Sequence, residues 1–78
     1  MFEMRVHARD PYQVKIVVGT AGPLGSNWEP DVTQEEDGVV GTIRITDRRL
    51  ARQFLQDAMV VARALPSQIT VIGDLSLN

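Results

Sequence analysis

The chain has no cysteine, which excludes a disulfide framework, thiolate catalysis and thiolate metal sites and is compatible with a reducing compartment. Aromatic residues are few, one Trp, one Tyr and two Phe, and there is a single histidine, His7. No apolar run approaches the roughly 20 residues that cross a bilayer. The first ten residues, MFEMRVHARD, place Glu3 and Arg5 where a secretory signal requires an apolar stretch. We therefore expect a cytoplasmic protein with no membrane partner. Charge of one sign is also lacking in excess: eight basic and ten acidic residues give a net charge of −2, too small to argue for a nucleic-acid or membrane partner from the total alone.

What remains is an ordinary globular composition, 44% apolar and 23% charged over 78 residues, the size of one small domain spanning residues 1–78. The strongest periodic segment is Asp47 to Leu65. Leu50, Ala51, Phe54, Leu55, Ala58, Val61, Ala62 and Leu65 recur at helical spacing and share one face. Asp47 suits the N-cap, where its carboxylate accepts from backbone N–H groups of the first turn. Pro66 ends the helix because it lacks an N–H and biases Leu65 away from the α region. The opposite face gathers Arg48, Arg49, Arg52 and Arg63, half of the eight basic residues. Charge on an outer helix face is the default for solubility, and a contact surface for an acidic partner or a phosphate backbone is the sharper reading.

Elsewhere the period is two. Phe2, Met4 and Val6 alternate with Glu3, Arg5 and His7, and Val39, Ile43 and Ile45 alternate with Thr42 and Arg44, the pattern of strands with one buried face. The β-branched run Val14, Ile16, Val18 within residues 13–19 reads as a further strand after an Asp10-Pro11 turn, with Val17 outward, and residues 68–72 read as a fourth. These elements predict an α+β two-layer sandwich in the order β-β-β-α-β. A four-stranded, mainly antiparallel sheet carries one helix on one face. Strand four lies beside strand one and parallel to it, for a spatial order 4-1-2-3.

Between Thr20 and Asp37 both periodicities fail, leaving a long loop at residues 20–37 that holds Trp28 and Glu29, Asp31, Glu35, Glu36 and Asp37, half of the ten carboxylates. Loops of this length in small domains are usually functional or disordered. An exposed Trp ringed by carboxylates has the make-up of an interface anchor with a charged rim, whereas folding back onto the core is its structural alternative. The acidic run lacks the alternating ligands and central glycine of a calcium loop. The glycines after residues 13–19 lead into no helix and no lysine, so no phosphate-binding loop is formed. His7 has no nucleophile or further ligand near it in the pattern. No catalytic residue, metal ligand or cofactor site is expected, and the chain is read as a non-enzyme.

The compact layout, three strands then a helix then a strand, with the acidic loop at Glu29 to Asp37, resembles small inhibitors encoded by phages and mobile elements, such as anti-CRISPR proteins. The resemblance implies a stoichiometric inhibitor that blocks a basic nucleic-acid-binding surface of a bacterial defence complex. Together these features point to a protein-binding domain contacting its partner through Trp28, Glu29, Asp31, Glu35, Glu36 and Asp37, with the arginine face second. The alternatives are a structural or oligomerisation subunit, for example a homodimer, that uses the open sheet face or an edge strand, with the apolar Val60 and Ala64 favouring self-contact, and a nucleic-acid binder that uses the arginines.

Overall fold

The computed structural model describes residues 1–21, 28–66 and 68–73. It contains six elements: β1 (Phe2–Ala8), α1 (Pro11–Thr20), β2 (Asp31–Glu35), β3 (Gly38–Ile45), α2 (Arg48–Ala64) and β4 (Thr70–Gly73). The four strands form one sheet in the order β2-β3-β1-β4, with every neighbouring pair antiparallel. Both helices contact the central strands and each other, so they cover one face. The α+β class, the two layers, the four-stranded antiparallel sheet and the place of the last strand beside the first agree with the sequence pattern.

The second element does not. Residues 13–19, expected as a strand, lie in α1. Asp10 is its N-cap, accepting a hydrogen bond from the Gln13 N–H at 3.0 Å, and Pro11 occupies the first turn, where its missing N–H costs nothing. The Gln13 side chain reaches back to accept from the Arg9 N–H at 3.2 Å, close to a capping box. Val14, Val17, Val18 and Ala21 are then buried at i, i+3, i+4 and i+7. Val17, expected to point outward, is fully buried. The β-branched residues are poor helix formers, but their burial outweighs that local preference.

This one change propagates. With α1 as a crossover, β1 and β2 run parallel to each other on either side of β3, and β3 and β4 do the same on either side of β1. The result is two interleaved β-α-β units. The added reversal makes β4 antiparallel to β1 rather than parallel as expected. There are accordingly two helices, not one, and the chain order is β-α-β-β-α-β. Strand β2 comes from the stretch read as loop: residues 31–35 of the 20–37 segment pair fully with β3, while residues 22–27 lie outside the described part of the chain.

Between the layers, Met4, Val6 and Ala8 of β1, Val39, Ile43 and Ile45 of β3, and Val71 of β4 face the helices. There they meet Val14, Val17 and Val18 of α1 and Ala51, Phe54, Ala58 and Ala62 of α2. Gly41 stands at the centre, and a Cβ there would collide with the Val14 side chain. The helix can therefore sit on the sheet at this point only because β3 carries no side chain there. Helix α2 runs as the pattern predicts, with the Asp47 carboxylate accepting from Arg49 N–H at 2.8 Å and Leu50 N–H at 3.2 Å, and Leu65 as C-cap before Pro66.

Candidate functional site

Strand β2 forms one margin of the sheet, and its five residues are all exposed. Asp31, Thr33 and Glu35 share the face away from the helices, opposite Thr42, Val40 and Gly38 of β3, while Val32 and Gln34 turn toward the helix side. The two-residue connection Glu36-Asp37 returns the chain into β3. Gly38, with φ of 153° and the Ala8 carbonyl oxygen where a Cβ would stand, takes up the backbone distortion of that turn. The five carboxylates Glu29, Asp31, Glu35, Glu36 and Asp37 are all exposed and thus lie on the edge strand, its approach and its hairpin tip.

Not all of them are free to attract a partner equally. Asp31 accepts from Arg44 at 3.0 Å; Arg44 also approaches Glu3 at 3.7 Å, and Glu3 pairs with Arg5 at 2.7 Å. This alternating relay of partly exposed charges crosses the open face from β2 to β1 and offsets Asp31. Among the described residues no ion pair involves Glu29, Glu35, Glu36 or Asp37, so unbalanced negative charge is concentrated toward the hairpin end.

Trp28, expected as an exposed anchor or as a cap on the core, takes the second role. It is half-buried and meets Phe54 edge-on, with ring centroids 5.2 Å apart at 79°, an arrangement worth about 0.5–1.5 kcal/mol beyond area burial. This contact ties the approach to β2 to α2. The remaining edge of Trp28 lines a shallow groove with Lys15, Val18, Gly19, Glu29, Pro30 and Val32, between α1 and β2. Lys15 and Val18 enter this region only because residues 11–20 are helical, so the strand reading of that segment hid them. The strand β2 itself had a signal: β-branched Val32-Thr33 after Pro30, followed by Asp37-Gly38, the residue pair that favours tight hairpins.

The arginines are divided. Arg48, Arg49 and Arg52 line one shallow surface over the first turns of α2, whereas Arg63 lies in the last turn, about 16 Å beyond Arg52 along the helix axis at 1.5 Å per residue. The C-terminal half of the exposed α2 face carries Met59 and Val60, 41% and 66% exposed, with Ala64 also exposed. On the open sheet face the described residues of β1 to β4 include no aromatic side chain: Glu3, Arg5, His7, Val40, Thr42, Arg44, Thr70 and Ile72 occupy it with the β2 residues. Stacking on bases therefore has no platform there. Among the described residues no three His, Asp or Glu side chains are grouped to hold a metal ion, and no helix is long and apolar enough to cross a membrane. Comparison with protein-family models, curated proteins and solved structures finds no match to the chain.

Proposed function

We propose that this protein is a non-enzymatic protein-binding domain that docks its acidic margin, β2 and the hairpin tip, against a basic surface of a larger partner. Its most concrete form is a stoichiometric inhibitor that covers a surface used by the partner for nucleic acid. The observation that carries this reading is the placement of Glu29, Asp31, Glu35, Glu36 and Asp37, all exposed, along one sheet margin. Such a margin steers association with positive surfaces and repels nucleic acid itself. Trp28 contributes by holding the margin against Phe54 rather than by inserting into the partner.

Affinity capture from bacterial lysate with the intact protein, a Glu35→Lys/Glu36→Lys/Asp37→Lys variant and an Arg49→Glu/Arg52→Glu variant tests this. A single partner is expected at stoichiometric amounts with the intact and arginine variants and is expected to be lost with the lysine variant. Retention by the lysine variant together with loss from the arginine variant contradicts the reading.

Exposed Met59, Val60 and Ala64 on α2 favour a second reading, self-association through that helix. A doubled solution mass by light scattering that reverts on Val60→Asp supports it. Val17 cannot serve as such a probe, because it is in the core.

A further inference from the structure

We propose that β2 accepts an extended segment of the partner as an additional strand, and that this segment alternates basic with apolar side chains. The inference rests on the protein-binding reading above and names the chemistry of the partner at the same margin. One edge of β2 is spent on β3 in unbroken register from Asp31 to Glu35. The other edge has no strand beside it among the described residues, and its outward N–H and C=O groups form a row that a strand can complete.

The two sides of that edge differ in chemistry. Toward the open face stand Asp31, Thr33 and Glu35, with Glu36 and Asp37 at the tip. Toward the helices lies the groove of Val18, Trp28, Pro30 and Val32, with Val32 40% exposed. Side chains of an added strand alternate between these two environments, with backbones about 4.8 Å apart. Lys or Arg in one phase meets the carboxylates, and Val, Ile or Leu in the other covers the groove. A second copy of β2 is the poorer occupant, because it brings carboxylates rather than positive charge to this margin. Antiparallel self-pairing about Thr33 sets Asp31 of one copy against Glu35 of the other, and like charges directly opposite are destabilising. Because Arg44 already pairs with Asp31 at 3.0 Å, the selectivity for a basic segment is set chiefly at Glu35 and the tip.

The test titrates the full chain, at physiological ionic strength, with the capped peptide Lys-Val-Lys-Ile-Lys-Val-Lys. The comparisons are the same peptide with Glu in place of Lys, and two versions N-methylated at every second residue, one in each phase. The expected result is saturable binding of the Lys peptide, weakened at least tenfold by Glu replacement, by Glu35→Lys in the protein and by N-methylation in one phase only. Slowed hydrogen exchange at outward amides of Asp31–Glu35 accompanies it. Equal binding of both N-methylated peptides overturns strand addition, because a strand needs its N–H groups in one phase. If that binding is still lost on Glu35→Lys, acidic recognition stands without it. No binding of the Lys peptide overturns this inference, while loss of the captured partner on charge reversal still upholds the broader reading.

Discussion

The two faces of the sheet are built from opposite chemistry on the same strands. Toward the helices, β1 and β3 present Met4, Val6, Val39 and Ile43, closed over by valines of α1 and by Phe54 of α2, with Gly41 admitting Val14 to backbone distance. Toward solvent the same strands present Glu3, Arg5 and Arg44 in a chain of ion pairs that stays about half exposed, with Thr42 among them. Burial of apolar area stabilises by about 25 cal/mol per Å², whereas an exposed ion pair contributes about 0–1 kcal/mol. The fold is therefore held from one side. The charges of the other side and of its β2 margin can therefore change at little cost in stability.

Mutations should separate the two faces by size of effect. Phe54→Ala removes a fully buried ring and the partner of Trp28, and a loss of about 3–5 kcal/mol is expected in urea unfolding. Gly41→Ala forces a Cβ into Val14, for an expected loss of about 1–3 kcal/mol; if the collision is the cause, adding Val14→Ala recovers part of it. Asp10→Ala strips the N-cap of α1 and should cost about 1 kcal/mol, read as a lower melting temperature. Arg44→Ala on the open face breaks two ion pairs yet should cost under about 1 kcal/mol, shrinking further at high salt. An Arg44→Ala loss as large as that of Gly41→Ala would break the contrast between the faces.

How much of this was legible in the sequence depended on which signal was unambiguous at each segment. Helix α2 was readable because its apolar stripe, its Asp47 cap and its Pro66 stop agree. Strands β1 and β3 were readable because alternation over seven or eight residues leaves one register. Helix α1 was misread because Val14, Ile16, Val17 and Val18 satisfy strand propensity, and the short run also alternates. The decisive cue was Asp10-Pro11 as N-cap and first helical residue, not as a turn. Strand β2 was hidden because an edge strand exposed on every residue has no hydrophobic alternation to detect; the β-branched Val32-Thr33 pair and the Asp37-Gly38 hairpin signal alone marked it. The acidic residues of the site were all visible as composition. Their alignment along a sheet edge, and the capture of Asp31 by Arg44, required the pairing of β2 with β3, which no local pattern encodes.

In the proposed complex the acidic margin, not the arginine surface of α2, meets the partner. A nitrogen-15-labelled sample of the full chain, titrated with the captured partner and followed by amide chemical shifts, tests it most directly. Perturbations concentrated at residues 29–37, with Arg48, Arg49, Arg52 and Arg63 unmoved, are the predicted result. Perturbations centred on the first turns of α2 or on Met59 and Val60, with Asp31–Glu35 unmoved, would contradict it.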